Sequence, residues 1–385
     1  MKQRRIKAAF IRGGTSKGVF FRAGDLPGDA AQRDAVLLRA LGSPDPYERQ
    51  LDGLGGGLSS LSKAVVIGKS ARDDADIDYT FAQVSVTEPL VDYAGTCGNL
   101  SSATGPFAVD EGLIEVPDGE TVVRVFNTNT SKIFHARFFV HHGEAAVEGD
   151  QRIPGVSHAG ARVALEFLSP GGSMTGGLLP TGNAVDEIET VDGERFRVSL
   201  VDATNPIVMV GAADLGITAT EQPDALEAMP GLLARLEKIR QAAGVAMGLG
   251  ATPAAVPQAV PKIVMVAAPQ TFQDIQGETV DASDSDLCAR AVSMGRVHRA
   301  LPLTLSMCLA TACRVEGTVP AMLAAPLAHG ADVRLGNPSG IIAAGADVDR
   351  SGNGWDVTRC RVIRTQRRLM EGQILVPAGT VDTAR

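Results

Sequence analysis

Aromatic residues are scarce in this chain, and basic residues do not outnumber acidic ones. Aromatic residues make up 4% of the 385 positions, and Trp355 is the single tryptophan. Stacking platforms for single-stranded nucleic acid are therefore not expected. The net charge of −8 leaves no overall basic surface for nucleic acid or an anionic membrane. No stretch approaches about 18 uninterrupted apolar residues, so we expect no transmembrane helix.

Cysteine and histidine patterns that hold disulfides or metals are also missing. The five cysteines include no C-x-x-C pair, and the six histidines form neither H-x-x-x-H nor H-E-x-x-H. The adjacent His141 and His142 would face opposite sides of a strand. We therefore expect no metal site, and reduced thiols in a cytoplasm. The basic N-terminal segment has too short an apolar part for a signal peptide, which favours the same location.

The length predicts two domains, because one ordinary core does not extend over 385 residues. Alternating and β-branched stretches predict strands, and apolar residues at helical spacing predict helices. The glycine- and proline-rich residues 169–183 indicate a linker. We therefore expect an N-terminal domain of residues 1–185, open to completion by the C-terminal strand, and a C-terminal domain of residues 186–385. The predicted helices are residues 29–41, 101–111, 225–247, 284–296 and 302–313.

Each half of the chain has strands and one apolar helix that we expect to be central. These helices are residues 101–111 and residues 302–313. If the halves face each other, both helix N-termini meet at one cleft. Such a cleft suits a ligand with carboxylates at both ends.

The most informative stretch is residues 95–108, GTCGNLSSATGPFA. Its order predicts a tight turn that opens a helix, whose first N–H groups have no partner inside the helix. Those groups and the helix dipole favour a carboxylate or a developing oxyanion. A thiol at this position has its pKa lowered, so Cys97 is a candidate acid or base. The alternative is a small buried core cysteine beside an ordinary turn.

A lysine follows the glycine-rich loop GLGGGLSSLSK and precedes an apolar strand. Lys63 can be partly desolvated there, which lowers a lysine pKa and makes the amine a usable base. The alternative is a solvated lysine at a strand end. The pattern S-x-x-K at residues 60–63 also occurs in penicillin-recognising enzymes, but S-D-N and K-T-G are absent and a strand follows. The loop lacks the spacing of a dinucleotide site, and residues 12–18 lack that of a phosphate loop.

Several short segments, taken together, resemble the PrpF family of 2-methylaconitate isomerases. They lie in order along nearly the whole chain: RGGTSKGVFF (12–21), DGLGGGLSSLSKAVVI (52–67), GTCGNLSSATGPFA (95–108), LLPTGN (178–183), DATNPIVMV (202–210) and GNPSG (336–340). The resemblance implies an α+β fold of two similar diaminopimelate epimerase-like domains, each a curved mixed sheet wrapped around a central helix. It also implies an active site in the cleft between the domains, and no cofactor.

The resemblance further implies a role for particular residues. Lys63 becomes the expected general base, and Cys97 a secondary acid or base or a neutral positioning group. Epimerase relatives use a second thiol at the other helix start, where this chain has LTLS, and this departure argues against two-thiol racemisation. The residues expected to bind substrate are Thr15, Ser16, Lys17, Ser60, Gly98, Asn99, Leu100, Asn205, Arg299, Thr304, Ser306, Ser339 and Gly340.

Relatives in this family isomerise small unsaturated di- and tricarboxylates, so a polycarboxylate is the expected partner. The small, hydroxyl-rich loop ending at Lys63 favours a compact substrate such as 2-methylaconitate. A 1,3-allylic shift of 4-oxalomesaconate or 3-methylitaconate is the main alternative, since both reactions begin with loss of an allylic proton. Two less favoured functions are an amino-acid racemase and a non-catalytic carboxylate-binding protein. A homodimer is compatible with these expectations.

Overall fold

The computed structural model describes residues 3–93, 95–293, 295–352 and 354–379. The chain divides into two compact units. Unit 1 comprises Met1–Glu166 and Ile363–Arg385, and unit 2 comprises Phe167–Val362. None of the helices in the described part of the chain combines the length and apolar character that a membrane crossing needs.

In the residues described, unit 1 is a mixed sheet with three α-helices. Its helices are α1 (Ala30–Leu41), α2 (Gly98–Ser101) and α3 (Thr104–Asp110). Its strands are β1 (Gln3–Gly13), β2 (Ser16–Arg22), β3 (Lys63–Lys69), β4 (Ile77–Val84), β5 (Val91–Asp92), β6 (Gly119–Asn127), β7 (Lys132–His141), β8 (Glu144–Ala145), β9 (Val163–Leu168) and, at the far end of the chain, β21 (Gln366–Pro377). Strand β21 lies antiparallel to β1, so the C-terminal segment completes this sheet.

Unit 2 contains the remaining elements. Its helices are α4 (Pro223–Ala228), α5 (Leu232–Ala246), α6 (Leu303–Ala312) and α7 (Val319–Leu323). Its strands are β10 (Asp186–Glu189), β11 (Arg195–Asp202), β12 (Pro206–Gly211), β13 (Lys262–Ala267), β14 (Phe272–Gln273), β15 (Thr279–Val280), β16 (Leu287–Ser293), β17 (Arg296–Val297), β18 (Val333–Asn337), β19 (Gly340–Ser351) and β20 (Gly354–Arg364). The chain enters this unit within β9 and leaves it within β20.

The two units repeat one order of strand pairings. In unit 1, β1 and β2 are antiparallel, β2 and β3 parallel, β3 and β4 antiparallel, and β4 and β6 parallel. In unit 2, the same sequence of orientations runs through β11, β12, β13, β16 and β18. The prediction of two similar α+β halves is therefore confirmed.

Strand alternation gives each sheet two buried faces. On β3, Ala64 and Val66 belong to the core under α1. Lys63 and Val65 face the other side, because successive side chains of a strand alternate. Asp29 caps α1 by accepting a hydrogen bond from the Gln32 amide, and Gly42 ends it in the left-handed conformation.

The central helix of unit 1 starts earlier than predicted and is interrupted. It begins at Gly98 and breaks between Ser101 and Thr104. Pro106 explains the break, because proline has no N–H for the Ser102 carbonyl and its ring crowds that oxygen. The Thr104 hydroxyl donates to the neighbouring Ser101 carbonyl, at 2.8 Å. In unit 2, α6 runs without a break and is almost wholly buried.

The helix predicted at residues 284–296 is wrong, since this region contains the strand β16. Its apolar residues are buried on both faces, and Leu287, Cys288 and Ala289 are all fully inaccessible. A short apolar run buried on both sides lacks the period-2 signal that marks a half-exposed strand. Periodicity by itself therefore cannot separate it from a buried helix.

Residues 169–183 form an ordered loop rather than an extended linker. The buried Asp202 carboxylate accepts hydrogen bonds from the Met174 and Thr175 amides, and the Gly172 amide donates to the Asp202 carbonyl. The division into compact units accordingly falls before this loop. The boundary between residues 185 and 186 rests on composition and stays a prediction.

Candidate active site

Lys63 begins β3 on the sheet face that does not pack under α1. Its side chain is only 8% exposed, and its ammonium lies 4.9 Å from the centroid of the Phe81 ring. Phe81 and Gln83 lie on the neighbouring strand β4, where Gln83 is the register partner of Lys63. The lysine is thus held in the sheet with little access to water.

Gln83 positions the lysine ammonium. The Lys63 Nζ donates to Gln83 Oε1 at 2.5 Å. The amide nitrogen of Gln83 donates to the carbonyls of Ser59 and Ser62 at 3.1 and 2.9 Å. Because these two bonds set the orientation of the amide, its oxygen points at the lysine. Sequence reasoning missed Gln83, since nothing in an alternating strand marks one glutamine as the partner of a distant lysine.

Burial changes the acid–base behaviour of Lys63. Loss of hydration lowers the pKa of Lys63, and the negative charge of a Cys97 thiolate opposes part of that shift. No carboxylate contributes to this balance among the described residues. A lysine without an acidic partner is easier to deprotonate, so Lys63 can act as a base.

Cys97 caps the N-terminus of the central helix. Its backbone is extended, and no side chain caps the helix. The Cys97 carbonyl accepts the Ser101 amide and hydroxyl, each at 3.0 Å, and the Tyr79 hydroxyl at 3.4 Å. Tyr79 is fully buried on β4, and burial raises the pKa of its hydroxyl, so it stays a neutral donor. In the described part of the chain no side chain caps the amides of Gly98, Asn99 and Leu100, so these groups can bind an anion.

The turn between β1 and β2 lies directly against this helix start. A Cβ on Gly13 would come within 2.6 Å of the Asn99 carbonyl oxygen, and one on Gly14 would overlap the Asn99 side chain. The Asn99 amide donates to the Thr15 hydroxyl at 3.0 Å. Gly13 is thus required by the close approach of two backbones, and Gly14 by its positive φ and by the Asn99 side chain. The structure brings together Thr15, Asn99 and the amides of Gly98 and Leu100.

Arg364 is a second buried cation at the same helix start. It is 7% exposed, and its Nε donates to Asn99 Oδ1 at 3.3 Å. Burial lowers its pKa to about 10, and no acidic group in the described part of the chain takes part in that shift. Sequence reasoning missed Arg364 because it is one of several arginines in CRVIRTQRR. A buried guanidinium without a carboxylate is suited to bind one from a ligand.

Three further predicted residues lie close to the same hairpin. Ser16 is buried opposite Gly13, and the Lys17 amide donates to the Ser60 carbonyl at 3.2 Å. The Lys17 ammonium lies 5.4 Å from the Phe10 ring centroid. Phe10 packs against the core under α1, so the Lys17 ammonium is on the opposite face of the sheet from Lys63. The role of Lys17 in holding a substrate carboxylate stays a prediction.

In unit 2, the predicted residues form two small groups. The first contains Asn205 and Thr304, because the Thr204 hydroxyl donates to the Thr304 carbonyl at 2.8 Å. Ser306 is fully buried, and its hydroxyl donates to the Pro302 carbonyl at 3.1 Å. The Ser306 donor is thus used inside α6, and the substrate contact expected for Ser306 stays a prediction.

The second group surrounds the β18–β19 turn. The Ser339 hydroxyl donates to the Arg299 carbonyl at 2.6 Å, and Gly340 has a φ of +99°. The Arg299 guanidinium pairs with Asp224 at 2.9 Å on an exposed surface. An exposed cation that already has a carboxylate is a weaker anion site than Arg364.

His141 and His142 do not face opposite sides, contrary to our expectation. Strand β7 ends at His141, and His142 has a φ of +54°, so the rings approach to 4.0 Å between centroids. Their nitrogens and an Asp118 oxygen lie within 4.8 Å of one another on the surface. The Asp118 oxygens also accept hydrogen bonds from the amides of His142 and Gly143.

Comparison with known proteins first defines the class. The crystal structure of a methylitaconate delta-isomerase superposes with a TM-score of 0.91 at 39% identity, covering 99% of this chain and 98% of that one. A hydroxyproline epimerase from Agrobacterium vitis superposes with a TM-score of 0.50 at 14% identity, covering 98% of this chain and 95% of that one, and shares the fold alone. The protein is an isomerase with an epimerase-like α+β fold.

Sequence comparisons show the family of this chain. The 2-methyl-aconitate isomerase of Shewanella oneidensis is 41% identical over 389 residues, which cover 97% of this chain and 98% of the relative. The PrpF protein family matches residues 3–377. The chain belongs to the PrpF family, as its short motifs indicated.

Replacing Gln83 with glutamate tests whether Gln83 controls the ionisation of Lys63. The new carboxylate would favour the protonated amine, so the limb of the kcat/KM profile that rises with pH should move up by about one pH unit. Gln273→Glu adds the same charge to an exposed side chain and should leave the profile unchanged. An unmoved limb in Gln83→Glu would show that Gln83 does not govern the ionisation of the base.

Proposed function

We propose that this protein moves an allylic proton in a small unsaturated polycarboxylate. The observation that carries the proposal is the buried Lys63 amine, which has no carboxylate partner in the described residues and is electrostatically coupled to Cys97. A base and an anion-binding helix start are useful only together. Unit 1 contains both.

The first step is removal of a proton by Lys63. The substrate has a C–H bond next to a C=C bond that is conjugated to a carboxylate. The neutral amine takes the proton, and the electron pair of the C–H bond spreads through the π system onto the carboxylate oxygens. Gln83 supports this step by directing the lysine Nζ.

The new charge on the carboxylate needs fixed donors. The amides of Gly98, Asn99 and Leu100 open the helix with no side-chain cap, and Arg364 is a cation beside them. A preorganised donor of this kind typically supplies about 2.7–4 kcal/mol to the transition state. Cys97, at the cap, is placed to act as a secondary acid or as a neutral positioning group.

The second step returns the proton from the Lys63 ammonium. Return to the same carbon after rotation about the former double bond gives cis–trans isomerisation. Return to the other end of the allyl system gives a 1,3-shift. We favour the first outcome with a 2-methylaconitate-like acid, because the loop before Lys63 is small and hydroxyl-rich. Identities of 41% and 39% to the named aconitate and itaconate isomerases do not separate the two outcomes.

Proton NMR in deuterium oxide tests this proposal directly. Each of 2-methylaconitate, 3-methylitaconate and 4-oxalomesaconate is incubated with the enzyme, and both products and deuterium at the allylic carbons are followed. We expect conversion of at least one acid, with solvent deuterium entering an allylic position. Conversion without any such exchange argues against an exposed base. Ligand stabilisation without turnover indicates a binding protein, and exchange at an amino acid α-carbon indicates a racemase.

Removal of metal ions should leave the activity unchanged. All groups in the proposed mechanism are side chains and amides of the chain itself. Dialysis against a chelator should therefore keep kcat within about twofold of the untreated enzyme. Activity that is lost on dialysis and restored by a divalent ion would contradict the proposal. The exposed Asp118, His141 and His142 would then be the first residues to replace.

The location and assembly of the protein are further proposals. All five cysteines are free thiols in the structure, which supports a reducing cytoplasm. Size-exclusion chromatography with light scattering would separate the homodimer from a monomer.

A further inference from the structure

Three cations lie side by side on neighbouring strands of unit 1. In the strand register, Arg12 on β1 is directly opposite Lys17 on β2 and directly opposite Arg367 on β21. Side chains directly opposite each other in antiparallel strands lie on the same face of the sheet, and like charges in such positions destabilise it. An anion bound to all three side chains, which we call the cation row, would remove that repulsion.

The cation row lies on the face of the sheet that Lys63 does not use. The Lys17 ammonium is 5.4 Å from the centroid of the Phe10 ring, and Phe10 packs against the core under α1. Arg12 follows Phe10 by two positions on β1, so its side chain projects to the same face. An anion held by the cation row is therefore separate from the proton transfer that we assign to Lys63.

The cation row lines a cavity of about 360 Å³. The residues around this cavity all belong to unit 1, and Ser157 and His158 are among them. The loop that contains these two residues is closed by hydrogen bonds between the backbones of Gln151 and Gly160, at 3.1 and 3.0 Å. None of the described residues that line the cavity is an aspartate or a glutamate. The charge of the cation row is thus left for a ligand to balance.

Arg12 is held in place by carbonyl groups rather than by an acid. Its Nη1 donates to the carbonyls of Gly14 and Thr365, at 2.9 and 3.0 Å. The rest of the guanidinium donates to no other group in the described chain, so it can bind a ligand. Burial and the charge of Arg367 lower the pKa of Arg12, and no acidic group takes part in that shift within the described ranges.

We propose that the cation row binds the phosphate group of a small molecule, or inorganic phosphate itself. The three acceptor oxygens of a phosphate group match the three cations in number, and its double negative charge balances most of theirs. Two of the three cations are arginines, whose planar fork fits phosphate oxygens in pairs. The resulting site in unit 1 is additional to the one that we propose for the polycarboxylate.

Calorimetry with inorganic phosphate tests the site on the full-length protein. Sodium chloride holds the ionic strength constant, so that general screening does not change during the titration. We expect saturable binding to the wild type, and Arg367→Glu should weaken it at least about tenfold, as for a lost charge-assisted hydrogen bond. Arg5→Glu makes the same charge change at the exposed beginning of β1 and should bind phosphate as the wild type does.

Two more variants locate the bound phosphate. Arg367→Lys keeps the cation and should bind within about threefold of the wild type. Arg364→Met removes the cation at the start of α2 and should leave phosphate binding unchanged, because Arg364 is not part of the cation row. Absence of binding to the wild type, or wild-type affinity in Arg367→Glu, would overturn the inference. An equal loss in Arg5→Glu, or a loss confined to Arg364→Met, would overturn it as well.

Discussion

Lys63→Ala is expected to lower kcat by about 10²–10⁴-fold, the range typical of a lost general base. The buried amine is the one group at the β3–β4 face that we assign to proton removal, and alanine leaves nothing to replace it. Circular dichroism should show an intact fold. Initial rates with the acid that the NMR assay identifies give the measurement. A variant that keeps more than about a tenth of the wild-type kcat would remove Lys63 from this role.

Two control variants separate a base from a mere positive charge. Lys63→Arg keeps the charge but cannot lose a proton near neutral pH, so it should be as inactive as Lys63→Ala. Lys69→Ala removes the exposed lysine at the other end of β3 and should keep wild-type rates. Activity in Lys63→Arg would mean that the site needs a cation there and that the base lies elsewhere.

The pH dependence of kcat/KM tests the same assignment of Lys63 as the general base. Lys63 must be neutral to accept a proton, so kcat/KM should rise with pH through the pKa of Lys63. Because burial lowers that pKa below its usual value of 10.5, the rise should be complete at a lower pH than an exposed lysine would allow.

Arg364→Met is expected to raise KM by about 10–100-fold. The guanidinium is buried beside Asn99 without an acidic partner in the described chain, so a substrate carboxylate would make a charge-assisted hydrogen bond to it. Such bonds are worth about 1.5–3 kcal/mol. Steady-state kinetics then distinguish two roles. A rise in KM with little change in kcat indicates binding of the ground state, and an equal fall in kcat and kcat/KM indicates contact with the developing charge.

Arg367→Met is the matched control for this position. Arg367 is an exposed arginine on β21, close in sequence to Arg364, and its loss should leave KM within about twofold. Arg364→Lys should recover part of the affinity, since it restores a cation without the planar fork. Unchanged kinetics in Arg364→Met would assign the buried guanidinium to the fold alone.

The elements around Lys63 and Cys97 were predictable because their signals are local. A glycine-rich loop before a β-branched run places a lysine at a strand start, and CGN before small residues opens a helix. Strand β16 was not predictable, since both of its faces are buried and it has no period. The helix break at Ser102 follows from Pro106, although the apolar residues around this proline predict one continuous helix.

The sequence by itself determined the family, the two-fold repeat of similar halves, and the positions of the candidate base and the anion-binding turn. These follow from short motifs and hydrophobic periodicity, which act over a few residues. Only the tertiary structure decided the partners of these groups. Gln83 accepts a hydrogen bond from Lys63, Arg364 donates one to Asn99, and the Ser306 hydroxyl donates one inside α6. Such pairings depend on strand register and on chain crossings between distant segments. A contact between residues that are far apart in the sequence produces no local sequence pattern around either residue.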